Sequence, residues 1–242
     1  MRIAIMQPTY LPWTGLFNLL ANVDTFVFLD NVQFERRSWQ QRQRIILNGR
    51  EFMLTVPVRS KGRLKQSISD VQIDYSRSWA DRHLQTLLHA YGKHPYGGEV
   101  LDLVGPCLRS KPRLLVENNI AIIAALSGAL GLTPRLLRSS TLSLSGRRSE
   151  LLMNICRHLG ADVYLSAAGS RGYIETEGMF AASDVKVGYQ DYLPKPYPQL
   201  GVSEFVPYMS IVDVIANLGC EAAREHVMPT AVDKCESEVS LV

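Results

Sequence analysis

The chain opens with a short, mainly apolar run, Met1–Met6, that stops at Gln7-Pro8-Thr9-Tyr10-Leu11-Pro12-Trp13-Thr14-Gly15. Two prolines so close together forbid a helix from continuing, so the run reads as a short buried strand. A helical stretch, Leu16–Asn22, and a second strand, Thr25–Leu29, follow at once. Strand, helix, strand within thirty residues predicts a βαβ unit, whose parallel strands need a right-handed connection. That unit commits the rest of the chain to an α/β layer architecture. Both strands also run into loops rich in amide, aromatic and guanidinium groups: Gln7–Gly15, and Asp30-Asn31-Val32-Gln33-Phe34-Glu35-Arg36-Arg37-Ser38-Trp39-Gln40-Gln41-Arg42-Gln43-Arg44. In an open parallel sheet the ligand crevice lies beyond such strand ends.

Further elements keep the pattern. Glu51–Val58 alternates like a strand, and Val71–Tyr75 is a short strand candidate. Arg77–Tyr91 carries an apolar helical stripe, and Gly92–Gly98 reads as a loop. A helix is expected from Arg113 to Leu130, stopping at Gly131, and another from Gly146 to His158, ending at Gly160. Strands are expected at Arg135–Ser139, Val163–Ser166 and Lys186–Tyr189. Four prolines (Pro194, Pro196, Pro198, Pro207) make the segment 191–208 an extended loop, and Ser210 caps a terminal helix to Leu218. The expected organisation is one α/β domain over residues 1–219, a Rossmann-like parallel sheet with flanking helices, and a frayed tail over 220–242.

Composition enters as a set of exclusions. Apolar residues at 46% and charged residues at 20% suit a globular chain with a proper core. The cysteines Cys107, Cys156, Cys220 and Cys235 show no CxxC spacing, so neither a zinc knuckle nor a redox pair is indicated. His83 and His89 are six apart, off the i, i+4 spacing of a two-histidine metal site, so no metal is expected. Gln7, Pro8 and Pro12 interrupt any signal peptide, and the longest apolar run, Ile120–Leu132, is too short to span a bilayer. A cytoplasmic protein with no nucleic-acid partner is the expectation.

Net charge is +3, concentrated between Arg36 and Lys65, where nine cations face only Glu35 and Glu51. Such a segment suits a phosphate-bearing ligand or an acidic partner, or is simply a solvated face. Gln7 can donate and accept, Tyr10 can donate, and Trp13 offers a stacking surface, although Tyr10, Leu11, Trp13 and Phe17 also read as packing residues of the first helix. Asp30 ends a strand, where a carboxylate can orient an amine or act as a base. Arg36, Arg42 and Arg44 can fork around an oxyanion, with Trp39 covering them. From the second half, Ser140, Ser166, Tyr173, Gln190 and Gln199 favour binding over covalent chemistry, since none has a histidine partner in sequence.

These motifs together resemble the WbqC family of bacterial polysaccharide and natural-product biosynthesis proteins. The resemblance runs from Ile3 to Gly219. It rests first on Gln7-Pro8-x-Tyr10-Leu11-Pro12-Trp13-x-Gly15-x-Phe17, then on Asp30-x-Val32-Gln33-Phe34 and Ser38-Trp39-x-x-Arg42-x-Arg44-Ile45. Leu54–Val58, Ser139-Ser140, Ala161–Ser166, Gln190, Pro196-x-x-Gln199 and Phe205–Asp213 add to it. The chain departs from the usual pattern at Met6, where a histidine is frequent, at Gln41 and Gln43, where asparagines are frequent, and at Ala167, where a glycine is common.

The resemblance implies a transferase that forms an amide by moving an acyl or aminoacyl group from a carrier-bound thioester to an amine. Asp30 would orient or deprotonate the amine, and Gln7, Tyr10 and Gln33 would polarise the carbonyl. Arg36, Arg42 and Arg44 would hold phosphate. No cofactor is required in this reading beyond a phosphopantetheine-bound donor on an acyl carrier protein. A weaker likeness, to the HIGH-type nucleotidylyl transferases and pantothenate synthetase, implies an ATP-dependent adenylating ligase, although the histidines of that motif are missing from Gln7–Gly15. A non-catalytic carrier-binding module is the third expectation.

Overall fold

The computed structural model describes residues 1–63 and 65–228. Five parallel strands form the sheet: β1 (Arg2–Met6), β2 (Thr25–Phe28), β5 (Arg135–Arg138), β6 (Val163–Ser166) and β7 (Lys186–Tyr189). Their spatial order is β5-β2-β1-β6-β7, so the chain direction across the sheet reverses between β1 and β6. That pair is the switch point at which a doubly wound sheet opens a crevice.

Both sheet faces are covered, as parallel strands require. Ile3, Ile5 and Val27 pack on Leu151, Leu152, Ile155 and Cys156 of α5 (Ser149–Leu159) and on Ile174 of α6 (Arg171–Glu177). Ala4, Phe26 and Phe28 point the other way. They join α1 (Thr14–Ala21), α4 (Leu115–Ala129) and α7 (Ile211–Val227) in the larger core, which α2 (Trp79–Tyr91) and α3 (Gly97–Arg109) extend. Among the described residues no helix is long and apolar enough to cross a membrane.

Between β2 and α2 the chain leaves the sheet to form an antiparallel hairpin, β3 (Arg42–Leu47) and β4 (Arg50–Thr55). Its register pairs Leu47 with Arg50, which leaves Asn48-Gly49 as a two-residue turn, both at positive φ (52° and 73°). That backbone suits the right-handed twist of the flanking strands. Gln43, Ile45 and Leu54 face the core, whereas Met53 and Thr55 are exposed.

Several expectations need correction. Gly97 and Gly98 begin α3 rather than prolonging a loop, because a Cβ at Gly97 would lie 1.8 Å from the Tyr91 carbonyl oxygen. Only glycine fits there, and glycines cost a helix little in its first turn. Val71–Tyr75 is no strand; Gln72 and Ile73 make single bridges, to Leu114 and Val58. The terminal helix does not end at Leu218. Gly219 kinks it (φ 79°, ψ 167°) around the Tyr96 ring, and it resumes to Val227, where Ala223, His226 and Val227 are buried. The rest of the expected tail, 229–242, lies outside the described residues.

Candidate functional site

The loop after β1 is held from three sides. Gln40 Nε2 donates to Gln7 Oε1 at 2.8 Å, and Asn119 Nδ2, from α4, donates to both Pro8 O (3.1 Å) and Gln40 O (2.7 Å). The Tyr10 amide donates to Trp39 O at 3.0 Å. The loop is thus braced against the 35–41 segment by a buried asparagine. Gln7 remains half-buried, and its Nε2 has no partner among the described residues, so it presents a fixed N–H donor at the switch point.

Trp13 folds back over its own helix start. A Cβ on Gly15 would meet the indole at 2.1 Å, so this approach needs glycine. The ring also packs against Tyr192 and Tyr208, with centroids 5.9 and 5.6 Å away. The segment 191–208 is accordingly a strap that crosses the first loop, tied by Ser210 Oγ to Leu11 O and by the Ile211 amide to Pro12 O.

Asp30 departs from the role expected of it. It has no exposed surface, and four donors converge on its carboxylate. Arg138 Nε (2.7 Å) and Ser140 Oγ (2.8 Å) reach Oδ2, and the Ser140 amide (2.8 Å) reaches Oδ1. The Ser139 hydroxyl lies 3.1 Å from Oδ1. Both carboxylate oxygens are thus bonded within the chain, unlike the open base expected from sequence. Asp30 instead fastens the end of β2 to that of β5 and fixes Arg138. The sequence reading passed over Arg138; its one signal was its place at the end of a short strand beside Ser139-Ser140.

Tyr10 is likewise corrected. It is fully buried and its hydroxyl lies 2.8 Å from Nδ1 of His83, in the helical core. Burial raises its pKa well above the usual phenol range and pushes His83 down to about 4, so the neutral ring accepts the phenol proton at Nδ1. Tyr10 anchors the loop without facing the crevice. Gln190 does the same from the end of β7, where its buried amide donates to Gly15 O (2.8 Å) and Asn18 Oδ1 (2.7 Å).

Gln199 lies elsewhere, within the strap itself. Its Nε2 donates to Asp213 Oδ2 (3.1 Å), which also accepts from the Tyr197 hydroxyl (2.5 Å), while Tyr91 donates to Oδ1 (3.0 Å). An open depression of about 690 Å³, lined by Lys93, Tyr197, Gln199 and Phe205, adjoins this cluster. Another, of about 730 Å³, lies between α2 and the hairpin tip. Neither reaches the strand ends. Gln199 and Asn217 of the first are bonded within the chain, and the sheet topology puts the candidate site at the switch point.

The other expected residues fall into two groups. Ser166 is buried at the end of β6, the strand beside β1, and Tyr173 is half-buried on α6 with the Arg148 guanidinium 5.3 Å from its ring centroid. Gln33, Arg36 and Trp39 are exposed on the approach to the hairpin. Arg44 Nη1 is occupied by both Glu51 carboxylate oxygens (3.1 and 3.0 Å), and its guanidinium lies 5.8 Å from the Trp39 ring; Arg42 and Arg44 each keep a buried Nε without a partner among the described residues. Burial pushes the Cys156 thiol up to about 12, which keeps it protonated and unreactive.

Comparison with known proteins places this arrangement. Residues 7–225 match the WbqC-like protein family. The chain is 34% identical over 223 residues to the "Uncharacterized protein Rv1507c" of Mycobacterium tuberculosis, covering 91% of this chain and 95% of that protein. No solved structure matches the chain. The family match takes in every expected site residue, from the braced Gln7 loop to the buried Asp213 cluster, and the chain belongs to the WbqC-like protein family.

Proposed function

We propose that the protein is a biosynthetic transferase that forms an amide, moving an acyl or aminoacyl group from a carrier-bound thioester to the amine of an intermediate. The observation that carries this reading is the free Nε2 of Gln7, held by Gln40 and Asn119 at the switch point of the sheet. A neutral donor fixed in advance of the reaction stabilises negative charge as it develops on a carbonyl oxygen, at no cost in reorganisation. The amine lone pair attacks the thioester carbon, the C–N bond forms and the C–S bond breaks. The thiolate leaves with the sulfur electrons and takes up, through solvent, the proton that the amine gives up. The roles in this reading are as follows. Gln7 polarises the carbonyl, Trp39 and Tyr173 flank the ligand, and Arg36 and Arg42 hold the pantetheine phosphate. Ser140 and Asp30 position Arg138.

The test combines purified protein, an acyl-carrier thioester and candidate amines without ATP. Amide product, lost in Gln7→Ala, supports the reading; no product in any combination overturns it. The strand order also suits a nucleotide at the switch point, which favours the adenylating ligase as a second reading. Strict dependence on ATP with release of AMP would decide for it.

A further inference from the structure

We propose that Arg138 anchors a carboxylate of the substrate, with Asp30 as the residue that positions it. This deepens the transferase reading and rests on it for where the reacting carbonyl lies.

Arg138 closes β5, in register with Phe28 of β2, so its side chain emerges beside Asp30 at the ligand end of the sheet. Asp30 takes only Nε. The two terminal nitrogens have no partner among the described residues, and the side chain is 32% exposed. Because Asp30 is itself gripped by the Ser140 amide and hydroxyl, the guanidinium is locked on its inner edge and free on its outer one. A planar fork fixed in this way matches the two oxygens of an oxyanion.

Charge then selects among oxyanions. Arg138 and Asp30 sum to zero, and Asn31, Ser139 and Ser140 beside them are uncharged. A phosphate dianion would meet one guanidinium and, behind it, a buried carboxylate. A carboxylate brings a single charge and the bidentate geometry that the fork already has. The site therefore suits a carboxylate, in contrast to the exposed guanidiniums of Arg36 and Arg37 on the hairpin approach. β2 lies between β5 and β1, so the anchor stands two strand spacings, about 10 Å of backbone, from the Gln7 loop. That distance is the reach required between the carboxylate and the reacting carbonyl.

The test is modification of the full chain by phenylglyoxal, mapped by peptide mass spectrometry, with succinate or inorganic phosphate as probe. Arg36 and Arg37, both exposed, are internal reporters. Succinate is expected to slow modification of Arg138 severalfold while leaving the reporters unchanged, and phosphate is expected to do so far less. Asp30→Asn raises the local charge to +1, and there phosphate becomes the better protector, a reversal that loss of a merely structural contact would not produce. An Arg138 rate indifferent to succinate overturns the proposal, as does phosphate protecting the unsubstituted protein at least as well. The unsubstituted arm stands even if Asp30→Asn does not fold. No arm requires turnover, so failure of the transfer chemistry and failure of this anchor are seen separately.

Discussion

Asp30 and Asp213 are both buried carboxylates that tie loops to the core, yet their surroundings differ in one decisive respect. Asp30 is gripped by a guanidinium that reaches solvent, so its cluster is neutral and opens outward. Asp213 is gripped by two phenols and an amide, with no cation in contact among the described residues. Burial and the adjacent carboxylate both push Tyr91 and Tyr197 up, which keeps them as donors at every accessible pH. Charge-neutral donors make a closed clamp; a paired guanidinium makes an anchor with a working outer edge. The first serves the strap, the second the crevice.

Removal of each carboxylate breaks the comparison most directly. Asp213→Ala leaves the buried Tyr91 and Tyr197 hydroxyls without their carboxylate acceptor, while the Gln199 amide keeps Val206 O, at a cost of about 3 kcal/mol. Urea denaturation measures that loss. Faster hydrogen exchange at the Leu200 and Val206 amides, which bond to Asn217 and Gln199, would show the strap loosening first. Asp30→Ala costs less, about 2 kcal/mol, because Arg138 can turn towards water instead of remaining a buried unpaired charge. Transfer activity nonetheless falls further in Asp30→Ala than in Asp213→Ala. Equal stability losses would show that the solvent-facing guanidinium makes no difference.

The Tyr10–His83 contact adds a titratable version of the closed clamp. Burial holds the His83 ring at about 4, against 6.5 for an exposed histidine, so the unfolded chain takes up a proton before the folded one does. Stability is therefore full above pH 6.5, declines as the pH falls towards 4 and levels off below it, a loss on the order of 3 kcal/mol. His83→Phe removes this slope along with the hydrogen bond. A denaturation midpoint as steep in His83→Phe as in the parent protein would place the acid sensitivity elsewhere.

The sheet was legible because its signals are local. Val163–Ser166 and Lys186–Tyr189 are strands with the expected bounds, and Gly160, at φ 65°, ends α5 where a left-handed residue was expected. The misses came from contacts remote in sequence. Gly97 reads as a helix breaker until the Tyr91 carbonyl is seen against it, and the turn after Gly219 reads as a tail until Val227 is found accepting from Asn18, 209 residues away. The same holds for the site. Gln7 and Ser166 stood out as polar groups at strand ends, and the strand ends do hold them. What a side chain is bonded to cannot be read from its type, so Asp30, Tyr10 and Gln190 looked like ligands and are braces. Arg138 has no sequence signal beyond its place at a strand end, and it is the one cation held by a buried carboxylate among the described residues.

The finest test deletes one hydroxyl from each cluster. Tyr197→Phe removes the shortest of three donors to Asp213, and no charged partner remains to compensate. The carboxylate keeps Tyr91 and Gln199, and the expected cost is about 1.5 kcal/mol. Ser140→Ala removes one of four donors to Asp30, but the Ser140 amide and Arg138 stay, and the serine is exposed, so water can take the vacant position. Its cost should be about 0.5 kcal/mol. Thermal midpoints of the two variants separate these values, with Tyr197→Phe the lower. If Ser140→Ala proves the more destabilising, the Asp30 cluster is the sealed one, and an outward-facing Arg138 loses its footing.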